Sequence, residues 1–439
     1  MIKNKTVFVG VSGGVDSSVS ATLLKDQGYN VVGVFIRTWS PDFIEPARPS
    51  HSGRCTWKNE RRDAMRVSAH LNIPFLECDA EKEYKKSVVD YMVEEYKKGN
   101  TPNPDVMCNR EVKFGVFWEF AKSHGADFIA TGHYTRVIKN SFREATGGGV
   151  PFLGTPKNGV KELREKLFFM ERGVDLSKDQ SYFLWTLTQD DLSHTLFPVG
   201  HLNKTEVRKL AKKYNLPTAM KKDSQGVCFL GPLDMKDFLK HYIKTKKGDV
   251  ILARREGGNE KRPARPHDNS ASLPYESWQG AGGKVIGNHD GAVFFTLGER
   301  HGFNITEKIE KDKPYYVIGK DVKKNTITVS TTPEKFLFSG PRLPAKVLKQ
   351  AGMREDEEPD HKNKNFSGFI IFTSNTNWIL DIPKKDKVYN AQIRYHGELL
   401  SCKVKVQNNK KAQIIFDKNV LVDKGQSIVV YDGDICLGG

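Results

Sequence analysis

The fold is decided near the amino terminus, where residues 6–28 read TVFVGVSGGVDSSVSATLLKDQG. Thr6–Val11 is a short apolar run, which predicts a buried strand. Ser17–Gln27 predicts a helix, and Gly28 is the residue expected to end it. The glycine-rich loop, Gly10–Ser18, therefore joins the end of a strand to the start of a helix.

The composition of this loop suits a phosphate group. Gly13 and Gly14 allow the backbone to approach a phosphate closely, and the helix N-terminus supplies N–H donors and a positive dipole end. We expect Ser12, Ser17 and Ser18 to add hydroxyl donors to the same concavity. The loop is not a Walker A loop, because the Gly-Lys-Ser/Thr ending is absent. The alternative is a tight turn with a capped helix and no ligand.

Strand-like and helix-like segments alternate through the first third of the chain. The further strands are predicted at Val31–Ile36, Phe75–Glu77 and Asp127–Thr131, and the further helices at Glu60–Leu71, Lys82–Tyr96 and Phe114–Lys122. Strands separated by helices of this length indicate βαβ units and a parallel sheet.

From about Tyr315 the pattern changes to short β-rich runs, of which Tyr315–Gly319 and Thr326–Ser330 are the first. Such runs, divided by Gly, Asn, Asp and Lys turns, are typical of a small antiparallel barrel or sandwich. Ser141–Lys166, Arg254–Gly283 and Met353–Asn365 are polar segments that look inserted. We predict an α/β fold with a parallel-sheet catalytic domain (1–232), a small central domain (233–312) carrying the basic insertion 254–283, and an antiparallel β-barrel (313–439).

The charge balance points to a polyanionic partner. The 439 residues include 69 Lys and Arg against 53 Asp and Glu, a net charge of +16. This excess favours nucleic acid, since phosphate neutralisation dominates such binding. The alternative is a solvated basic surface with no ligand. No apolar stretch approaches the roughly 18 residues of a membrane-spanning helix, so no membrane partner is expected.

The six cysteines form no C-x-x-C pair and no Cys/His cluster with zinc spacing, which argues against a structural metal site. The N-terminal residues show neither the apolar core of a signal peptide nor the composition of a transit peptide. The sequence therefore predicts a reducing, cytoplasmic environment.

Two of the cysteines lie in polar segments. Residues 101–114 read TPNPDVMCNREVKF, and we expect Cys108 near the N-terminus of a helix, whose dipole would lower the thiol pKa. Residues 223–230 read DSQGVCFL and contain Cys228. A lone cysteine is usually a small buried core residue. That interpretation suits Cys78, Cys402 and Cys436, but it suits Cys108 and Cys228 poorly.

The sequence SGGVDSS resembles the signature of the PP-loop ATP pyrophosphatases, which have an adenine nucleotide alpha hydrolase-like fold. Members cleave ATP between the α- and β-phosphates and adenylate an oxygen of a second substrate. The resemblance implies that Asp16 holds Mg²⁺ against the phosphates, since that ion prefers oxygen ligands. It also implies an ATP pocket formed by Gly10, Val11, Ser12, Gly13, Gly14, Val15, Asp16, Ser17, Ile36 and Gly132.

Further motifs resemble the tRNA-specific 2-thiouridylases of the MnmA/TrmU family, which modify the wobble uridine. They include TPNPDVMCNREVKF, ATGHYTR (130–136), KDQSYFL (178–184), SQGVCFL (224–230), IRYHGE (393–398) and KGQSIVVYDGDICLGG (424–439). These motifs occur in order along nearly the whole chain. The sequence departs from the family at 41–56, where members commonly carry an acidic stretch.

The resemblance implies a mechanism. ATP adenylates the oxygen on carbon 2 of the uridine, and Cys228 carries a persulfide sulfur supplied by a sulfur-relay protein or a cysteine desulfurase. That sulfur attacks carbon 2, and Cys108 releases the product by forming a disulfide with Cys228. Asp105 is the candidate acid or base, although an Asp after Asn-Pro is also an ordinary helix N-cap.

The family pattern further implies tRNA contacts. The residues concerned are Asn103, Pro104 and Asp105 for the target base, and His133, Lys178, Asp179, Gln180, Arg394, Tyr395 and Gln426 for the rest of the tRNA. The pair Arg394-Tyr395 is chemically suited to this role, as a phosphate fork beside a stacking ring. The alternatives are a core histidine for His133 and a solvated charge for Arg394.

Two alternatives to tRNA thiolation agree with part of the sequence. A PP-loop ATP pyrophosphatase that adenylates a small-molecule acceptor leaves the basic charge, the two cysteines and the terminal β domain unexplained. A non-catalytic RNA-binding protein would predict a damaged loop, whereas Ser12–Ser18 is intact.

Overall fold

The computed structural model describes residues 4–41, 57–139, 167–223, 234–253, 283–307, 313–332, 369–408 and 410–439. The predicted insertions lie outside the described residues, apart from their end residues Pro41 and Gly283. Cys55 and Cys228 also lie outside them. No helix in the described part of the chain has the length and hydropathy that a membrane span needs.

The first sheet has five parallel strands, in the order β3-β2-β1-β4-β7. Its strands are β1 (Thr6–Gly10), β2 (Asn30–Arg37), β3 (Phe75–Asp79), β4 (Phe128–Ala130) and β7 (Thr195–Leu196). The apolar residues of β1 are almost completely buried, because helices cover both faces of a parallel sheet. The predicted parallel sheet is confirmed, with β7 as an edge strand that the sequence did not indicate.

Helices connect the strands of this sheet and follow the last of them. They are α1 (Val15–Asp26), α2 (Trp57–His70), α3 (Glu81–Tyr84), α4 (Tyr91–Lys97), α5 (Pro104–Met107), α6 (Phe117–Ser123), α7 (Gln189–Ser193), α8 (Lys204–Lys213) and α9 (Met235–Lys240). Two π-helical stretches, Lys85–Asp90 and Cys108–Val116, link α3 to α4 and α5 to α6. Gly28, at φ +88°, follows α1 as expected, since a left-handed residue ends the helix without steric cost.

The middle sheet also has five strands, in the order β10-β9-β8-β12-β11. They are β8 (Gly248–Leu252), β9 (Lys284–His289), β10 (Phe303–Ile305), β11 (Tyr316–Asp321) and β12 (Thr326–Ser330). The sequence placed β11 and β12 in the last domain, and this placement is wrong. β12 pairs in parallel with β8, and Val317, Ile327 and Val329 are buried in the same cluster as Val250. The exact domain boundaries stay a prediction.

The last sheet has eight strands, all paired antiparallel. Their order is β13-β16-β15-β14-β17-β18-β6-β5, with β5 (Thr135–Lys139), β6 (Phe168–Arg172), β13 (Ile370–Ser374), β14 (Val388–Gln392), β15 (Leu400–Asn408), β16 (Lys411–Phe416), β17 (Val429–Asp432) and β18 (Ile435–Gly438). The paired strands β5 and β6 come from the predicted catalytic domain, and they join the sheet where Ile435 pairs with Glu171. The expected antiparallel β domain is confirmed, and it is tied directly to the catalytic domain.

A buried junction connects the three sheets. Lys320 Nζ lies 2.7 Å from Asp423 Oδ2, and the side chains are 5% and 2% exposed. Asp423 Oδ2 also accepts hydrogen bonds from Thr101 Oγ1 (2.9 Å) and from the backbone N–H of Leu297 (3.2 Å). The Thr101 N–H donates to Lys424 O at 2.6 Å. The segment that begins at Thr101 and leads to Cys108 is therefore held by residues from both other sheets.

Candidate active site

The glycine-rich loop makes the tight turn that its glycines predict. Gly13 has φ +71°, and a Cβ there would lie 2.5 Å from the Glu60 carbonyl oxygen. A Cβ on Gly132, after β4, would lie 2.8 Å from the Ser17 nitrogen. Glycine is thus required on both sides of the first turn of α1. The N–H groups at the N-terminus of this helix suit the binding of a phosphate.

Two serines of the loop, Ser17 and Ser18, are buried, and the third, Ser12, is exposed. Ser18 is fully buried, its hydroxyl donates to Gly14 O (2.6 Å), and it accepts from Thr218 (3.0 Å). Ser17 is also buried, and its hydroxyl donates to Gly14 O at 3.2 Å. Ser12 is exposed. The expectation that all three hydroxyls face one concavity is wrong for Ser18, whose side chain closes the first turn of the helix instead.

Asp16 projects from the first turn of α1 and is held by two side chains that the sequence analysis did not assign to the ATP pocket. Lys204 Nζ lies 2.7 Å and 2.8 Å from the two carboxylate oxygens, and Tyr134 Oη donates to Oδ1 at 2.8 Å. The Lys204 ammonium also lies 5.7 Å from the centroid of the Tyr134 ring, within cation–π range. Burial and the neighbouring Asp16 carboxylate raise the pKa of Tyr134, which keeps it a neutral donor.

Asp223 collects three cations beside this pair. Lys204 Nζ lies 3.0 Å and Lys178 Nζ 3.1 Å from its carboxylate, and Arg208 forms a further ion pair. Burial alone would raise the pKa of Asp223, but the hydrogen bonds and charges of Lys204 and Lys178 outweigh it and lower the pKa to about 2. Lys178, an expected tRNA contact, is thereby connected to Asp16 through Asp223 and Lys204.

Lys204 was missed because nothing near it in the sequence marks it as functional. It is the first residue of α8, after the N-cap Asn203, whose capping box with Glu206 fixes the start of the helix. A lysine in a first helical turn opposes the helix dipole. This unfavourable position of a lysine was the one sequence feature that could have indicated a role for Lys204. The structure explains it, because the Lys204 side chain reaches the Asp16 carboxylate on α1.

The side chains beside the glycine-rich loop fit one mode of Mg²⁺ binding. No group of three or more His, Cys, Asp or Glu side chains in the described ranges is arranged to hold a metal ion. Mg²⁺ is usually bound by one or two carboxylates together with substrate phosphates rather than by a protein cage. Asp16, beside the phosphate-binding N-terminus of α1, fits that mode, and its carboxylate already faces the cationic group of Lys204.

The Thr101–Phe114 segment begins as the prolines predict. Asn103 is the N-cap of α5, and its Oδ1 accepts from the N–H groups of Asp105 (3.1 Å) and Val106 (3.3 Å). Pro104 occupies the first helical position, where a missing N–H costs nothing. The alternative that Asp105 is the N-cap is wrong, because Asn103 has that role. Asp105 is half-buried in the first turn, so its carboxylate is not used for capping.

Cys108 is buried, although its polar sequence neighbours argued against a core position. It follows α5, one turn inside the helical segment, and its side chain is 1% exposed. It packs in an apolar cluster that also contains Tyr84, Val112 and Phe238. The poor fit predicted for a core position is therefore wrong, because Cys108 enters an apolar cluster although polar residues surround it in sequence. Its relation to Cys228 lies outside the described residues.

The expected tRNA contacts near the last sheet do converge. Tyr395 stacks on His396 (centroids 3.9 Å apart) and contacts Phe183 (4.4 Å). Burial, with the charges of Asp179 and Asp105, raises the pKa of Tyr395 to about 12. Residues from the KDQSYFL, TPNPD and IRYHGE motifs thus share one neighbourhood, although they are far apart in sequence.

Other expected contacts serve the fold. Asp179 is 4% exposed and accepts from Arg172, the Gly173 N–H, and both the N–H and hydroxyl of Ser181. Gln180 exchanges two 3.0 Å hydrogen bonds with the Tyr134 backbone. Arg394 donates to Leu297 O, and Gln426 Oε1 accepts from the Asp423 N–H at 2.8 Å. These side chains orient the loops of the site.

His133 and Ile36 are the remaining predicted contacts. His133 is 8% exposed and hydrogen-bonded to Thr131 (2.7 Å). Burial, and to a lesser extent Lys113, lower its pKa well below 6.5, so the ring is neutral. This is the core histidine of the alternative interpretation. Ile36, at the end of β2, lies 3.6 Å from the Cβ position of Gly10, beside the glycine-rich loop.

Three family models match successive parts of the chain. They are the tRNA methyl transferase HUP domain over residues 5–232, the tRNA methyl transferase PRC-barrel domain over 277–331 and the aminomethyltransferase beta-barrel domain over 370–439. Among solved structures, a 4-thiouridine synthetase–RNA complex with bound ATP is 16% identical and covers 54% of this chain and 50% of that chain, at a TM-score of 0.30.

Curated relatives match along the full length. The tRNA-specific 2-thiouridylase MnmA of Bacillus subtilis (strain 168) is 36% identical over 436 residues, which cover 99% of this chain and 93% of that protein. The protein of the same name from Christiangramia forsetii is 37% identical over 446 residues, covering 99% and 98%. Because these relatives match 99% of the chain and the glycine-rich loop lies in the matched HUP domain at the end of β1, the chain belongs to the family of tRNA-specific 2-thiouridylases.

Proposed function

We propose that this protein catalyses the ATP-dependent 2-thiolation of the wobble uridine of tRNA. The observation that carries the proposal is the connection of two sites through Tyr134, whose hydroxyl donates to Asp16 and whose backbone exchanges hydrogen bonds with Gln180. One is the phosphate-suited loop with Asp16, and the other is the Asp105, Asp179 and Tyr395 neighbourhood beside Cys108. The first supports ATP binding and the second supports placement of a nucleotide base.

In the proposed reaction the backbone of the glycine-rich loop binds the phosphates, and Asp16 holds Mg²⁺. The ion, when bound, supplies charge neutralisation for the phosphates. The oxygen on carbon 2 of the uridine attacks the α-phosphorus, and pyrophosphate leaves with the electrons of the broken P–O bond. Asp105 lies in the segment anchored at Thr101, where Asn103 caps the helix, and its carboxylate is proposed to accept or donate the proton.

Sulfur transfer is proposed to use the two cysteines. The terminal sulfur of a Cys228 persulfide attacks carbon 2, and AMP leaves. The Cys108 thiolate then attacks the Cys228 sulfur, which releases 2-thiouridine and leaves a Cys108–Cys228 disulfide for an external thiol to reduce. The persulfide sulfur comes from a sulfur-relay protein or cysteine desulfurase. Because Cys108 is 1% exposed, the proposal requires its thiol to become accessible during the cycle.

Binding of tRNA is proposed to use the basic surface and the Arg394-Tyr395 pair. Tyr395 is partly buried among aromatic rings, and it offers a stacking face close to Asp105. The net charge of +16 supports a polyanionic substrate. A cytoplasmic location is part of the proposal and agrees with the free thiols of Cys78, Cys402 and Cys436.

The test is mass spectrometry of nucleosides from tRNA incubated with the protein, ATP, Mg²⁺ and a sulfur source. We expect 2-thiouridine derivatives from the wild type and none from Cys108→Ser or Cys228→Ser, with ATP and tRNA binding retained. Cys402→Ser is the matched control, because Cys402 is equally buried but lies in β15, away from the loop. Thiolation by Cys108→Ser at the wild-type rate would contradict the proposed sulfur transfer.

A further inference from the structure

The glycine-rich loop lacks a cation of its own. Walker A loops carry a lysine that reaches the terminal phosphates, whereas Gly10–Ser18 contains none. Cleavage between the α- and β-phosphates places the developing charge on the pyrophosphate that leaves. Stabilising such charge normally requires positioned cations or donors. Mg²⁺ can supply part of this positive charge, and a cationic side chain beside the loop would supply more, but it has to come from elsewhere in the chain.

Lys204 is placed to supply that charge. Its ammonium touches both oxygens of Asp16, which stands in the first turn of the helix that the loop begins. The residues are 188 positions apart in sequence, so the contact is made by the fold and not by local structure. The Lys204 side chain is 14% exposed, which leaves its charge only weakly screened by water.

The backbone of Lys204 is held in place, whereas its ammonium group has two carboxylate partners. The Lys204 N–H donates to Asp175 Oδ2 at 2.9 Å, and the capping box holds the start of α8. The ammonium lies between Asp16 (2.7 Å) and Asp223 (3.0 Å). Asp223 also has Lys178 and Arg208 as partners, so Lys204 is not needed to neutralise it. A short rotation of the side chain can thus exchange Asp16 for another anion.

We propose that Lys204 is the phosphate-binding cation of this site, which neutralises Asp16 when no nucleotide is bound and contacts the β- and γ-phosphates of ATP when Mg²⁺ takes the Asp16 carboxylate. This proposal rests on the proposed function. In the reaction the uridine oxygen bonds to the α-phosphorus, the bond from that phosphorus to the bridging oxygen breaks, and the electron pair leaves with pyrophosphate. Lys204 stabilises that leaving group and carries no proton in the step.

The experiment compares two nucleotides that differ only in the groups Lys204 is proposed to contact. Calorimetry measures the Kd of AMP and of an ATP analogue with a methylene group between the α- and β-phosphorus atoms, both with Mg²⁺ and without tRNA. Lys204→Gln keeps a hydrogen bond to Asp16 but removes the charge. We expect it to weaken analogue binding about 10- to 100-fold, the value of a charge-assisted contact, and to leave AMP binding close to wild type.

Two variants control the measurement. Lys209→Gln removes an exposed lysine from the same helix and should change neither affinity. Lys204→Arg keeps the charge, should fold if Lys204→Gln does not, and should retain most of the preference for the analogue over AMP.

Three outcomes would overturn the proposal. The first is unchanged binding of the analogue by Lys204→Gln. The second is an equal loss of analogue and AMP binding, which would mean that Lys204 only stabilises the loop. The third is loss of the preference for the analogue over AMP in a folded Lys204→Arg. If the wild type binds neither nucleotide, the proposed function itself fails, and the two failures are thereby distinguished.

Discussion

Replacing Lys320 by Met should weaken the junction that connects the three sheets. The Lys320 and Asp423 side chains are 5% and 2% exposed and their charged atoms lie 2.7 Å apart. Removing one partner of a buried ion pair leaves an uncompensated charge and costs about 3–5 kcal/mol of unfolding free energy. Asp423 would keep its hydrogen bonds from Thr101 and Leu297, so we expect the lower end, about 3 kcal/mol.

The measurement is urea unfolding combined with hydrogen exchange at the Thr101 N–H, which bonds to Lys424 O across the junction. The matched control is Lys324→Met. Its ammonium is 3.8 Å from Asp321 on the same hairpin, but the Lys324 side chain is 62% exposed, and such pairs contribute about 0–1 kcal/mol. The double variant Lys320→Met with Asp423→Asn removes both charges and should cost less than Lys320→Met alone.

The reasoning would be refuted if Lys320→Met cost no more than Lys324→Met, or if exchange at Thr101 stayed at its wild-type rate. Either result would mean that the ion pair does not hold the Thr101–Phe114 segment. Because that segment carries Asp105 and Cys108, we expect Lys320→Met to lower thiolation even under conditions where the protein remains folded.

Two further predictions concern charge and pH. Affinity for tRNA should fall log-linearly with rising salt, as filter binding can measure. Arg394→Ala and Lys178→Ala should both weaken it. Because Lys178 bonds to Asp223 beside Lys204, the ATP comparison uses Arg394→Ala, in which calorimetry should give a Kd for ATP close to wild type; an ATP site lost with Arg394 would contradict this assignment. Burial lowers the pKa of His133 in the folded protein well below its ordinary 6.5. Between these two pKa values only the unfolded chain binds the proton. The contribution of the neutral ring to the free energy of unfolding is therefore fully present above about pH 6.5 and is lost as the pH falls through that value. His133→Asn should therefore reduce the loss of unfolding free energy between about pH 7 and about pH 5 by about 1–2 kcal/mol in urea titrations; an unchanged pH dependence would show that His133 is protonated in the folded protein.

The sequence by itself determined the local features of this protein. The strand, glycine-rich loop and helix of residues 6–28 could be predicted because strand burial, turn formation and helix capping depend on neighbouring residues. The parallel sheet followed from the alternation of strands and helices, and the antiparallel domain from its short runs. The motifs around Cys108 and Tyr395 were recognised in the same way, as continuous stretches.

Only the tertiary structure decided which distant groups meet. Lys204 reaches Asp16 across 188 residues, and Thr101, Lys320 and Asp423 come together from the loop before α5, from β11 and from the loop between β16 and β17. The placement of β12 beside β8 was predicted wrongly, because the backbone of a strand offers the same hydrogen-bonding groups to any partner. Burial of Cys108 in an apolar cluster was hidden by its polar sequence neighbours, since a helix turns successive residues to different sides. Pairing and burial depend on packing of the whole chain, and a local pattern carries no information about it.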